Sequence, residues 1–128
     1  MLRRQGYDFY FTFKANFRMS VPVSQCADEW ESEEIGAETF DTMADRICEA
    51  VEDCSLNDTD RFEHTKKGDC YEVTAPYLFE AVIREEDFDE ASAQLECDLE
   101  NVVLPKDVQM KVELLDWHYE PAVLVVGE

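Results

Sequence analysis

The chain has 128 residues and a formal net charge of −20, from 31 acidic and 11 basic side chains. That length fits one domain with a core of its own, 1–128, and 45% apolar with 12% aromatic residues exclude a disordered acidic tail. The charge argues against direct binding of nucleic acid, whose affinity comes largely from neutralising phosphates with Lys and Arg.

The acids are not spread evenly. Asp28–Asp60 holds thirteen acids and one cation, Arg46, and Glu85–Glu100 holds eight acids and no cation. The rest of the chain has ten of each sign and sums to zero. The N-terminal residues include no apolar run long enough for a signal peptide or a membrane span, which points to the cytoplasm. Five cysteines (Cys26, Cys48, Cys54, Cys70 and Cys97) make an odd number without C-x-x-C spacing. They read as reduced thiols, mostly buried.

From Tyr7 to Val23 every odd position is apolar and the even positions are mostly polar, which predicts a strand with one buried face. It is either one bent strand, the preferred reading, or a hairpin turning at Lys14-Ala15-Asn16. Ser24–Gly36 reads as a polar connection anchored by Trp30. Phe40, Met43, Ala44, Ile47, Cys48, Val51 and Cys54 then recur at steps of three and four, the spacing of an amphipathic helix beginning near Ala37. Leu56–Asp60 has turn composition and ends it.

Arg61–Thr65 is a short strand candidate, and Lys66-Lys67-Gly68-Asp69 looks like a hairpin turn. Tyr71, Val73, Ala75, Tyr77, Phe79, Ala81 and Ile83 share a parity and predict a long strand. Pro76 lies inside it and removes a ladder donor, so an edge, a bulge or a break is expected there. Phe88, Ala91, Ser92, Leu95, Leu99 and Val102 have helical spacing, with Asp87 or Asp89 as the N-cap and Pro105 beyond the end. Val108–Leu114 alternates again, Leu114-Leu115 breaks the phase as a bulge would, and Ala122–Val126 is a last short strand.

The order strand, helix, short strand, long strand, helix, strand predicts an α+β, ferredoxin-like (βαββαβ) fold. It would have a four-stranded antiparallel sheet with both helices on one face, and room for an extra C-terminal strand.

In the first helix Glu34, Glu38, Asp41, Asp45, Glu49 and Glu52 recur at steps of three and four and form one stripe opposite the apolar face. Glu34 sits at the predicted N-terminal margin. Glu86, Asp89, Glu90, Glu96 and Glu100 form a shorter stripe in the second. Packed helices lie about 8–10 Å apart, so two rows of carboxylates would share one surface. The first row has one acid per roughly 4.5 Å of helix; one DNA strand offers one phosphate per about 3.4 Å. Ordinary solvated helix faces mix Glu with Lys, because like charges at i,i+4 cost about 0.2–0.5 kcal/mol per pair. A general halophilic bias would place acids over the whole surface, whereas here the strand segments are neutral.

Little supports catalysis. His64 and His118 sit in predicted strands with no flanking motif, and G-x-S-x-G, H-E-x-x-H and a Gly-rich phosphate loop are all missing. Asn57-Asp58-Thr59-Asp60 with Glu63 lacks the glycine and terminal glutamate of a calcium loop. The thiols lack zinc spacing. The reading is therefore non-enzymatic, with no cofactor and no metal.

The charge pattern of Asp28–Asp60 and Glu85–Glu100 resembles the acidic DNA-mimic proteins that phages and mobile elements use against host defence, including anti-restriction and anti-CRISPR inhibitors. The resemblance is one of physical type, not of motif. It implies a stoichiometric inhibitor in the host cytoplasm whose carboxylates enter the Lys/Arg-lined groove of a nuclease or defence effector. The partner would be a basic nucleic-acid-binding protein, with no membrane involved. The contact residues would be the eleven acids named above.

The competing reading is an assembly module that homodimerises through the even-numbered sheet face (Tyr10, Thr12, Lys14, Asn16, Arg18, with Leu78 and Val82), its acidic helices serving solubility. A small ligand-binding regulator is a third reading, by fold analogy alone.

Overall fold

The computed structural model describes the backbone of residues 2–59 and 61–125 and the side chains of 6–59 and 61–121. The first strand, β1 (Leu2–Pro22), is one element of 21 residues, not a hairpin. A short 3-10 turn (Val23–Gln25) leads to α1 (Glu29–Ala50), then β2 (Cys54–Thr59), β3 (Glu63–Lys67), β4 (Cys70–Glu85), α2 (Phe88–Glu100) and β5 (Val108–Val125). All pairings are antiparallel: β1 lies between β4 and β5, and β2 and β3 both pair with β4.

The alternation in β1 and β4 works as the pattern requires. Phe9, Phe11, Phe13, Ala15, Phe17 and Val21 of β1 are buried with Val73, Ala75, Tyr77, Phe79, Ala81 and Ile83 of β4. α1 covers one half of this face with Phe40, Met43, Ala44 and Ile47, and α2 adds Ala91, Leu95 and Leu99. Rings interlock at the centre: Phe17 stacks on Phe40 at 5.3 Å and meets Tyr77 edge-on at 5.2 Å, while Phe13 stacks on Phe79 at 5.2 Å. Such pairs contribute about 0.5–1.5 kcal/mol each beyond their area. Neither helix packs on the other face of the sheet, whose residues are half-buried or exposed.

The expected four-stranded ferredoxin-like fold is not the one observed. The sheet has five strands, in the order β2-β4-β1-β5 with β3 also on β4, and the additional strand is not C-terminal. Beyond β4 the layer is split between β2, opposite Tyr77–Ala81, and β3, opposite Cys70–Thr74. Pro76 falls in the gap. Lacking an N–H it cannot complete a ladder, and the break it demands appears in the neighbouring layer, while β4 runs through unbroken. At the C-terminal end, Val108 to Val125 is one strand through Pro121 rather than two. Pro121 is tolerated because β5 is an edge. Val126 of the predicted last strand, and Asp60, lie outside the described residues.

Three local readings are also corrected. α1 begins at Glu29, not Ala37, and Trp30 is 63% exposed on it rather than an anchor. Cys54 and the turn-like Leu56-Asn57-Asp58 belong to β2. The five thiols are free as expected, but four are half-buried and Cys97 is exposed. The bulge at Leu114-Leu115 is where the pattern put it, between Thr12↔Asp116 and Phe13↔Leu114.

Two close approaches fix the frame. Gly6 has φ +83 beside the register shift between Arg4 and Tyr7, and a Cβ there would lie 2.6 Å from the Glu85 carbonyl oxygen. Gly36 lets α1 settle on β4, where a Cβ would meet Val73 Cγ1 at 2.8 Å.

Candidate anionic interface

Both acidic helices are started by acids. The Asp28 carboxylate caps α1 by accepting from the Glu31 N–H at 2.9 Å, and the Glu31 carboxylate reaches back to accept from the Ala27 N–H, just before the cap, at 3.3 Å. Asp87 caps α2 by accepting from the Glu90 N–H at 2.8 Å. Glu29 and Glu31 in the first turn of α1, and Asp89 and Glu90 in that of α2, sit where the helix dipole favours negative charge.

Beyond these caps the acids gain nothing from the helix. Glu34, Glu38, Asp41, Asp45 and Glu49 are on α1, and all five are exposed. At about 100° per residue they fall within roughly 80° of arc. Glu52 is exposed but follows the helix, which ends at Ala50, so the helical stripe has five members, Glu34 among them and Glu52 outside. On the second element Asp89, Glu90, Glu96 and Glu100 lie on α2, and Glu86 precedes its cap; all are exposed. Neither helix has a basic residue in its last turn, so Glu49 and Glu100 stand uncompensated at the negative ends.

Arg46 apart, the cations lie off the two helices. Lys14 pairs with Glu113 at 3.5 Å, Lys67 with Glu72 at 3.2 Å, Arg84 with Asp8 at 2.9 Å, and Arg18 reaches Glu72 at 3.9 Å. All of these are strand residues. Arg46, the cation of α1, donates to the Val103 carbonyl oxygen at 3.0 Å and joins α1 to the segment after α2. Among the described residues none of the eleven carboxylates forms an ion pair. Arg18, Arg61 and Lys111 gather around a cavity of about 520 Å³ that includes Asn16 and Pro76. The strands therefore mix acids with cations, several of them paired, whereas the two helices are acid-rich, with Arg46 as the cation of α1.

Asp41 differs from the rest of the stripe. It accepts from the Tyr77 hydroxyl at 2.7 Å, tying the stripe to the core. Burial first, and this bond second, push the Tyr77 phenol well above its ordinary value. Near the C-terminal end of α1, burial and the neighbouring Cys48 raise the Cys54 thiol to about 12.

At the other end of α1, Trp30 meets the edge of His64 at 5.2 Å, and His64 pairs with Glu33. Trp30 stands one helical turn before Glu34, in line with the acids. It was missed as a surface residue because the helix was expected to start later; the signal was the i,i+4 step from Trp30 to Glu34.

Among the described residues no three of His, Cys, Asp and Glu converge to hold a metal ion. The carboxylates are spaced along the helices rather than gathered. No described helix is long and apolar enough to cross a membrane. Comparison with known proteins finds no family model and no curated protein that matches the chain.

Proposed function

We propose that this protein is a non-enzymatic inhibitor that imitates the charge of nucleic acid and occupies the basic groove of a nucleic-acid-binding defence protein, a CRISPR effector or a restriction enzyme, in the host cytoplasm. The observation that carries this reading is the separation of charge. Among the described residues the eleven carboxylates face solvent without an ion-pair partner, although Asp8, Glu72 and Glu113 on the strands pair with Lys or Arg. A solubility coat has no need of that segregation.

In this mechanism the target's Lys and Arg side chains exchange phosphate for carboxylate. Complementary fields accelerate encounter, and salt weakens it. Trp30, exposed at the head of the stripe, supplies the kind of aromatic anchor that dominates binding energy at interfaces. The open sheet face is a weaker candidate for the contact, because it is occupied by paired charges (Asp8–Arg84, Lys14–Glu113, Lys67–Glu72).

The test is inhibition of a panel of DNA-cleaving nucleases and RNA-guided effectors, comparing the native chain with Glu38→Lys/Asp45→Lys/Glu49→Lys. Asp41 is left intact because of its bond to Tyr77. One or more enzymes should be inhibited stoichiometrically by the native chain and not by the reversed one. Equal inhibition by both, with the fold retained, would refute the proposal.

A further inference from the structure

The two edges of the sheet are built differently. The β2–β3 edge is short, interrupted and carries Lys66 and Lys67, features that discourage pairing with another chain. The β5 edge is one strand of 18 residues, and among the described strands it pairs with β1 alone. Four large apolar side chains stand exposed within six residues of it: Leu114 at 40%, Leu115 at 46%, Trp117 at 39% and Tyr119 at 55%. A long unpaired edge with one exposed apolar row is a template for another strand whose charges match its polar row.

The bulge at Leu115 decides which strand. It shifts the phase of β5, so that Met110, Val112 and Leu114 before it, and Trp117 and Tyr119 after it, lie on the helix-covered side. Lys111, Glu113, Asp116, His118 and Glu120 lie on the open side. Place a second copy antiparallel about a two-fold axis that sets Leu115 opposite Asp116. On the covered side Leu114 then faces Trp117 and Val112 faces Tyr119. On the open side Lys111 faces Glu120 and Glu113 faces His118. Every pair occurs twice, the faces match over Met110–Pro121 apart from the central Leu115–Asp116 step at the bulge, and Lys111–Glu120 and Glu113–His118 are opposite or hydrogen-bonding pairs. A register centred on Val112 loses the face match once it passes the bulge. One centred on His118 sets Asp116 against Glu120.

We propose that the chain self-associates through β5 in this register, extending the sheet across a two-fold axis. The axis runs perpendicular to the sheet, so both pairs of acidic helices face the same side and the anionic surface is doubled. Among the described residues Glu120 accepts a long 3.4 Å bond from the Tyr10 hydroxyl, which leaves it able to turn to the incoming Lys111. The inference stands on the edge geometry and is read out without any target.

Sedimentation equilibrium from about 1 μM to about 1 mM, a range spanning weak to firm association, should show mass rising from 14.9 kDa to twice that value. Lys111→Glu and Glu120→Lys should each weaken association about tenfold, because each places like charges opposite one another twice per dimer. The double variant should restore it. Glu120→Lys lowers the net negative charge, so its weakening effect separates cross-strand pairing from general repulsion. A mass that stays at one chain throughout, singles that associate like the native chain, or a double variant that stays weak would each overturn the proposal.

Discussion

Replacing Asp45 with Lys should stabilise this protein while removing part of its proposed surface. Asp45 is exposed, and its neighbours on the stripe are Asp41 at i−4 and Glu49 at i+4. Each like-charge pair costs about 0.2–0.5 kcal/mol, and each opposite pair contributes a similar amount. Converting both pairs is therefore a gain of about 0.8–2 kcal/mol at low ionic strength. For a chain of this size, 1 kcal/mol moves the melting temperature by about 3–5 °C, so Asp45→Lys should raise Tm by about 2–10 °C in dilute buffer. The gain should shrink toward zero near 1 M salt, where the screening length is about 3 Å. Thermal unfolding followed by circular dichroism at both salt levels measures this. A lower Tm at low salt, or a gain that ignores salt, would refute the view that the stripe costs stability.

Other outcomes follow from the same structure. Gly6→Ala meets both a positive φ and the Glu85 carbonyl oxygen at 2.6 Å, so it should cost about 2–4 kcal/mol in chemical denaturation; Gly68→Ala, at φ +60 with nothing within 4 Å, should cost only about 1–2 kcal/mol. Phe17→Ala empties the junction between Phe40 and Tyr77 and should cost about 3–5 kcal/mol by urea unfolding. In alkylation followed by mass spectrometry, exposed Cys97 should react long before Cys54, whose thiolate is scarce until the pH approaches 12. The Cys54 thiol and the Tyr77 phenol are both raised in the folded state, so an unfolded chain releases these protons first. Stability should be unaffected by them below about pH 9 and should fall as the pH rises from there toward 12; flat stability over that window would contradict the burial of both groups.

What the sequence showed and what it hid have specific causes. β1, β4 and α2 were legible because their buried positions are large and apolar and because Asp87 is a good cap. The start of α1 was hidden because its first two core-facing positions are Ser32 and Gly36. Neither counts as apolar in a periodicity, yet both are buried, one bonded to the Glu29 carbonyl oxygen and the other pressed against Val73. β2 was hidden because nearly all of its side chains are exposed. Only pairing with β4 makes it a strand, and that is a long-range property. Pro76 was expected to bulge or break its own strand, yet β4 runs through it in register with β1 and the gap falls between β2 and β3 instead. The acid stripes were legible from spacing alone, since an exposed helix face needs nothing but its period. The aromatic at their head and the unpaired β5 edge required the fold.

The central claim is that the helical carboxylates are a binding surface. It is tested most directly on a nuclease that the native chain inhibits, by measuring affinity as a function of salt with duplex DNA as competitor. The account predicts mutually exclusive binding of protein and DNA, affinity that falls steeply with salt, and loss of both behaviours on reversing Glu38, Asp45 and Glu49 together. Simultaneous binding of DNA and this protein, or affinity unchanged by the triple reversal, would contradict it.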